Sequence, residues 1–168
     1  MNLIVCVNKR MSIGKNGGLM YSIPEDMRFF RKMTSGKTVV MGRATLESLP
    51  GGMPLKNRKN IVLSHNPPKE ENGAIYCKDL GELAEVLKYE NSDDVFVIGG
   101  GKLYRLLYPY CKNAYLTCVD DDSEGDTYFP DLLASEQWKE TYSSEEKEFE
   151  GLRYRFKTFE NTDPALFV

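Results

Sequence analysis

Five short apolar runs, none broken by a charge, constrain this chain more than any other feature. They cover residues 3–7, 39–41, 61–63, 95–98 and 115–119. A strand buried on one face alternates polar and apolar residues. A strand buried on both faces reads as a continuous apolar run, the pattern of a parallel sheet covered by helices. Helix patterns lie between the runs: residues 22–33, a short stretch after Gly42, residues 79–91, and residues 102–108 stopped by Pro109. This alternation predicts an α/β fold, a single domain with a central, mostly parallel twisted sheet flanked by about four helices. The last third of the chain changes character. Residues 138–144 and 152–159 approach a period of two, with turn residues at Glu150-Gly151. That predicts a C-terminal antiparallel hairpin at the sheet edge. The domain is expected to span residues 1–160, and residues 161–168 to be a loose tail.

The stretch SIPEDMRFFRKM, residues 22–33, places two acids side by side at a helix start. Ser22 is a suitable N-cap, Pro24 suits the first turn, and Glu25 three residues after Ser22 completes a capping-box pattern. Helical neighbours lie three, four and seven residues away. From Glu25 these are Arg28, Phe29 and Lys32, mostly polar; from Asp26 they are Phe29, Phe30 and Met33, all apolar. Glu25 is therefore expected to face water and Asp26 the core or a pocket. One reading of Asp26 is a negative charge placed at the positive end of the helix dipole. The other is a carboxylate on the floor of a ligand cavity. Ser22 and Glu25 already serve the first purpose, which favours the second.

Composition excludes several kinds of chemistry. The 168 residues suffice for one domain that buries roughly 70% of its unfolded surface. A net charge of −3 argues against a nucleic-acid partner. No apolar run approaches the roughly 20 residues of a membrane helix. MNLIVCVNKR carries its charges after the apolar run and so reads as a buried strand, not a signal peptide. Cys6, Cys77, Cys111 and Cys118 form no C-x-x-C, and His65 is the only histidine, so no metal site is expected. Thiols of this kind suit a reducing cytoplasm. A Ser-His or Cys-His nucleophile would have to depend on His65, and no strained Ser or Cys motif accompanies it.

Ligands gather at the carboxyl ends of strands in open α/β sheets. Three such ends share a theme: TVVMGRAT (38–45), IVLSHN (61–66) and VFVIGGGKLY (95–104). Glycines let the backbone approach a phosphate closely, and a following helix start attracts its charge. A pyrophosphate fits at Gly42 or at Gly99, Gly100 and Gly101. A phosphate monoester would suit Arg43 and His65. The glycines also read as ordinary turns, and Arg43 as a solvated charge. Tyr104 stands where the third glycine of G-x-G-x-x-G would be. A plain dinucleotide fold would use Asp120 or Asp121 to hold a ribose hydroxyl and predict NAD, whereas Arg43 and His65 point to the 2′-phosphate of NADPH. The segment GKNGGLMY (14–21) reads either as an Asn-Gly turn or as a lid with soft joints.

Taken in order, IG-x-x-G before SIPEDM-x-FF, then VVMGRATLESL, RKNIVLS, VIGGGKLY, LT and EGDTYFPD, the chain resembles dihydrofolate reductase from about Ile4 to Pro130. That resemblance implies reduction of 7,8-dihydrofolate to tetrahydrofolate, NADPH giving a hydride to pterin C6 and a proton reaching N5. Asp26 would bind the pterin and Thr117 orient it, with Tyr21 beside them. Ile4, Val5, Cys6 and Ile98 would border the pterin. Met27, Phe30, Leu49 and Leu55 would line the aminobenzoyl slot, and Arg58 would clamp the glutamate α-carboxylate in a fork that lysine does not copy.

For NADPH, the resemblance implies that Gly42, Arg43, Ala44 and Thr45 hold phosphates and ribose. Ser64 and His65 would sit by the 2′-phosphate, and Lys78 near the adenine. Gly99, Gly100, Gly101, Lys102, Leu103 and Tyr104 would carry the pyrophosphate and the nicotinamide side, with Cys6 nearby. Ile13, Gly14, Lys15, Asn16, Gly17, Gly18 and Leu19 would close over the nicotinamide, steadied by Asp126. A monomer acting on a small molecule is expected.

Two departures stand out. Met20-Tyr21 replaces the family's frequent Pro-Trp, which bears on the water near the pterin and on lid stiffness. His65 replaces a frequent arginine, which predicts a weaker NADPH preference, weaker still at alkaline pH. The proton has two routes. Asp26 is protonated and donates directly, or it stays ionised, holds the pterin, and a water carries the proton. Two other readings share parts of the pattern: a reductase of a ribosyl-pyrimidine, and a non-catalytic nucleotide-binding module. Arg58 and the Asp26–Phe30 pair speak against the first, and an inward Asp26 against the second.

Overall fold

The computed structural model describes residues 1–167. In chain order, β1 (Asn2–Val7) leads into a small ribbon of β2 (Ser12–Lys15) and β3 (Gly18–Leu19), then α1 (Pro24–Thr34). β4 (Thr38–Gly42) passes directly into α2 (Arg43–Ser48), and β5 (Lys59–Leu63) is followed by β6 (Ile75–Cys77) and α3 (Leu80–Leu87). β7 (Val95–Gly99) passes into α4 (Gly101–Leu107), then come β8 (Asn113–Val119) and β9 (Thr127–Tyr128). β10 (Trp138–Ser143), β11 (Lys147–Phe149) and β12 (Leu152–Asn161) complete the chain.

The main sheet has the order β10-β12-β8-β1-β7-β4-β5-β6. All pairings from β8 to β6 are parallel, while β12 joins β8 and β10 antiparallel. Each predicted apolar run lies inside one of β1, β4, β5, β7 and β8. Their side chains alternate between two faces and feed two main cores, with Val119 joining Ile23 and Tyr154 in a smaller third. Leu3, Val40, Ile61, Val97 and Leu116 pack with Leu83, Leu103 and Leu107 of α3 and α4. Ile4, Val39, Met41, Val62 and Phe96 pack with Leu46 of α2 and with Phe29, Phe30 and Met33 of α1. Each fully buried large apolar side chain contributes roughly 1.5–3 kcal/mol, so the two faces supply most of the cohesion.

Local signals behave unequally. At α3 the Asp79 carboxylate accepts from the Glu82 backbone N–H at 2.9 Å, as its S/T/D-x-x-E spacing predicts. At α1 the Ser22–Glu25 capping box does not form. Helix residues begin at Pro24, and Ile23 occupies the N-cap with φ −110° and ψ 115° and no side-chain cap. A residue preceding proline is pushed into the extended region, so the chain turns into the helix one residue later than Ser22 requires. Freed from capping, Glu25 does not face open water; it meets Lys147 at 3.1 Å and the Tyr154 hydroxyl at 3.2 Å.

The C-terminal hairpin also differs in detail. Glu150 and Gly151, with φ of 48° and 82°, form the tight turn between β11 and β12. β12 is then interior, between β8 and β10, and the edge is shared by β10 and β11. Asn161 closes β12 and is buried. The tail expected to be loose is tied down: Thr162 N–H donates to Gln137 O and Ala165 N–H to Pro109 O, both at 2.9 Å. Phe167 sits edge-on to Tyr110, ring centres 5.1 Å apart.

Candidate active site

Asp26 lies in the first turn of α1 and leans toward β8. Thr117 Oγ1 donates to its Oδ1 at 2.5 Å. Thr117 is buried, and Cys6 is its register partner on β1. Burial raises the Asp26 carboxyl above its ordinary value of 3.8, while hydrogen bonds from Thr117 and Cys6 pull the other way. The Cys6 thiol is pushed far up, by burial first and by the neighbouring carboxylate second, so it stays a neutral donor. The result is a half-buried acid with a partner for part of its charge. Such a group binds a flat ring bearing adjacent N–H donors.

The apolar candidates gather beside it. Phe30, Leu49, Leu55 and Ile98 all pack against the α1-side core, with Ile4 buried inside it. Met27 is 55% exposed, a large apolar side chain held at the surface of the same helix. At the far end lies Arg58. Its Nε is buried without a hydrogen-bond partner, and no carboxylate pairs with it among the described residues. Burial and the adjacent Arg31 guanidinium lower its affinity for its proton. Arg31 has no motif signal of its own; its place one turn after Met27 and Arg28 on the helix was the available clue. The Arg31 and Arg58 guanidiniums lie near each other, and neither is paired with a carboxylate among the described residues.

The ends of β4 and β7 meet in a strip of bare backbone. A Cβ built on Gly42 would lie 3.9 Å from Gly99 O and Gly100 N. One on Gly99 or Gly100 would lie 3.5 or 3.6 Å from Thr45 Oγ1. Gly99 has φ 126°, a conformation closed to other residues. One on Gly101 would strike Thr127 and the Tyr128 carbonyl at 2.9 Å. Gly42 and Gly100, partly exposed, keep the two strand ends free of side chains, as a pyrophosphate would need, whereas Gly101 is a glycine because a side chain there would strike β9. Ala44 is exposed beside them and Lys102 is exposed on α4. Leu103 and Tyr104 instead enter the core, and the Tyr104 hydroxyl donates to Ile4 O at 2.8 Å. Tyr104 thereby braces β1 from beneath Gly99.

Arg43, expected at a phosphate, is bound to Glu47 at 2.9 Å, one turn along α2. Ser64 follows β5, its hydroxyl accepting from Asn66 N–H at 3.2 Å, and His65 and Lys78 are exposed nearby; the Lys78 N–H is held by Glu82 at 2.8 Å. Strand β5 pairs with β6, so these three residues share one corner.

The Gly-rich segment, read as a turn or a lid, folds as a ribbon. Asn16 and Gly17 turn at φ 54° and 78°, and β2 pairs with β3 and β9. Ile13 is buried, whereas Lys15, Gly18 and Leu19 are exposed, Leu19 at 82%. Asp126 holds the ribbon twice: its carboxylate accepts from Asn16 N–H at 2.8 Å and its N–H donates to Gly14 O at 2.9 Å. A second tether lies at the lid's other end. The Tyr21 hydroxyl donates to Asp121 and accepts from Asn8 Nδ2 at 3.0 Å. The hydroxyl that could have met a water near the acid is thus turned toward the β8–β9 connection. Asn8 carried no motif; Asp120 and Asp121, weighed for a ribose hydroxyl, are instead engaged by Lys9 and by the Tyr21 hydroxyl.

A surface hollow of about 510 Å³ lies beneath the ribbon, lined by Lys9, Arg10, Met11, Tyr128, Phe129 and Asp131 among others. It contains none of the acid, slot or glycine residues, and Lys9 is occupied by Asp120 at 2.6 Å. No cluster of three or more metal-ligating side chains occurs among the described residues.

The family model described as dihydrofolate reductase matches residues 1–161. Dihydrofolate reductase of Haemophilus influenzae is 39% identical over 153 residues, 91% of this chain and 92% of that one. The enzyme of Bacillus subtilis is 37% identical over 139 residues, 83% and 80% of the two chains. A solved structure of dihydrofolate reductase from Enterococcus faecalis, complexed with NADP(H) and RAB-propyl, superposes with a TM-score of 0.80 at 31% identity over 96% of both chains.

Proposed function

Since the chain belongs to the dihydrofolate reductase family and reduces 7,8-dihydrofolate to 5,6,7,8-tetrahydrofolate with NADPH, we propose that Asp26 is the residue on which that reaction turns. The observation that carries this assignment is the bond from buried Thr117 to a carboxylate whose environment raises its pKa. NADPH, when bound, supplies the hydride to pterin C6. Asp26 pairs with the pterin's N3 and 2-amino group, with Thr117 and Cys6 holding its orientation. Ile4, Val5 and Ile98 border the ring. Phe30, Leu49, Leu55 and Met27 enclose the aminobenzoyl group and exclude water from it. Arg58 receives the α-carboxylate, which satisfies its orphaned Nε side. The proton for N5 is managed at Asp26, the one acid in the cleft with a raised pKa.

For the cofactor, Gly42, Thr45, Gly99, Gly100 and Gly101 offer a pyrophosphate cradle. Arg43 leaves Glu47 to meet the 2′-phosphate, joined by Ser64 and His65. An exposed ion pair is worth only about 0.2–1 kcal/mol, so a dianion displaces Glu47 readily. The lid from Ile13 to Leu19 closes on the nicotinamide side. The protein works as a cytoplasmic monomer. Free thiols at all four cysteines and the net charge of −3 support that reading. No helix among the described residues is long and apolar enough to cross a membrane. Mixing the protein with NADPH and dihydrofolate tests the activity, and the same mixture with Asp26→Asn tests the assignment. Loss of absorbance at the nicotinamide wavelength is expected with dihydrofolate, and none with a ribosyl-pyrimidine phosphate. The reverse result would overturn it.

A further inference from the structure

Asn60 is the second residue of β5 and is buried, at 3% exposure. Asparagine is disfavoured in strands, and a buried amide costs free energy unless its hydrogen bonds are made. Here they are made, and all to one short segment. Oδ1 accepts from Leu55 N–H at 2.9 Å, and Nδ2 donates to Leu55 O at 2.9 Å and to Arg58 O at 3.0 Å. The amide side chain therefore grips the backbone of two residues that stand at the two ends of the substrate's tail. By alternation along β5 it shares a face with Val62, in the core against which Leu55, Leu49 and Phe30 pack.

The segment needs such a grip. Between Leu55 and Arg58 the chain reverses through Asn57 at φ 58°, a left-handed conformation that asparagine tolerates and that makes the turn tight. Its one other described backbone tie is Gly36 N–H to Asn57 O at 2.8 Å, which docks the turn onto the end of α1 beside Arg31. The Arg58 side chain makes no hydrogen bond that would place it. Its position is thus inherited from its backbone, and its backbone is held by Asn60.

We propose that Asn60 is a positioning residue for folate specificity: its amide preorganises Leu55 and Arg58 so that the aminobenzoyl slot and the carboxylate clamp are set at a fixed spacing before substrate arrives. This rests on the role of Arg58 proposed above. Preorganisation acts on binding, because a clamp already in place loses less freedom when its ligand docks. Asp26, the glycine strip and the lid lie on other elements and are not held by this amide.

The test is a double-mutant cycle on the full-length protein, Asn60→Ala and Arg58→Leu singly and together. KM for dihydrofolate, kcat, KM for NADPH and the Kd of a 2,4-diaminopteridine without an aminobenzoylglutamate tail are measured for each. Asn60→Ala is expected to raise KM for dihydrofolate about tenfold or more, since small misplacements of a clamp are costly. Its kcat stays within about twofold, and the tailless ligand's Kd does not move. In the Arg58→Leu background, Asn60→Ala adds little further, because no clamp remains to be misplaced. A merely structural role would lower Tm and weaken tailed and tailless ligands alike, and that result overturns the proposal. If Arg58→Leu itself leaves the dihydrofolate KM unchanged, the clamp reading fails first and takes this one with it. If Arg58→Leu raises it and Asn60→Ala does not, the inference about Asn60 alone is wrong. Should Asn60→Ala not fold, Asn60→Ser, which keeps a small hydroxyl in the same place, carries the same cycle.

Discussion

Thr117 and Asp26 meet at 2.5 Å, a strand hydroxyl donating to a helix carboxylate from 91 residues away in the chain. The pairing joins the two halves of the cleft. Thr117 has β1 on one side and β12 on the other, so its position is set by the sheet. Asp26 is set by the packing of Phe29, Phe30 and Met33. A bond between two independently positioned groups holds the acid still without a change in either element.

Replacing the carboxylate tests its two consequences together. Asp26→Asn is expected to lower turnover at neutral pH by about 10²–10⁴-fold, the usual contribution of a positioned acid, while NADPH affinity is retained. The same variant should be more stable than the parent at pH 7. An acid whose folded pKa lies above its unfolded value binds its proton more tightly when folded. Its contribution is therefore best below the ordinary value of 3.8 and is lost as pH rises through the raised one. Asparagine removes that loss, so the Tm difference should open between acid and neutral pH. Turnover equal to the parent, or a Tm lower at pH 7 than at pH 4 relative to the parent, would contradict the role.

Thr117→Val keeps the shape and removes the donor. The hydroxyl favours the ionised carboxylate, so without it the Asp26 pKa rises further. The pH profile of hydride transfer, followed before product release, should move upward. A profile that stays in place would mean that the bond does not reach the chemistry.

How much of this was legible depended on how far each signal had to reach. Five buried strands showed themselves, because burial on both faces leaves an unbroken apolar run. Asp26 showed itself through its own helix neighbours. Signals one residue long were overridden: proline geometry at Ile23-Pro24 displaced the Ser22 cap. β9, two residues long, has no period to detect and exists because the ribbon pairs with it. The grip of Asn60 on Leu55 and Arg58 is local, yet an asparagine after a basic run has no pattern that announces it. Arg43 showed its position but not its partner, since Glu47 one turn later reads equally well as a solvated neighbour.

That partner makes a prediction. Arg43 is paired with Glu47, so under the proposed 2′-phosphate role Glu47→Gln should tighten NADPH by a few fold and leave NADH nearly unchanged. Arg43→Ala should weaken NADPH and narrow its advantage over NADH. Kd values for both cofactors at low and high salt decide it. If Glu47→Gln shifts both cofactors equally, the exchange of partners does not occur.

The tether at Tyr21 gives the last. Burial first, and then the Asp121 carboxylate, push the phenol from its ordinary 10.0 up to about 12, while Asp121 is held below its usual range by the same bond. For the tyrosine the neutral form is the one the fold prefers. Its stabilising contribution is thus fully present below pH 10.0 and is lost as pH rises from there through about 12. Tyr21→Phe should flatten the stability curve in that window and weaken the fold at pH 7. Asp121→Asn should return the phenol toward its ordinary titration, visible as phenolate absorbance appearing earlier. If the tether also limits lid movement, both variants should change kcat in the same direction, and the double variant should do no more than Tyr21→Phe, which already removes the hydroxyl that Asp121 accepts from. Additive effects on kcat would show instead that Tyr21 and Asp121 act on the lid separately.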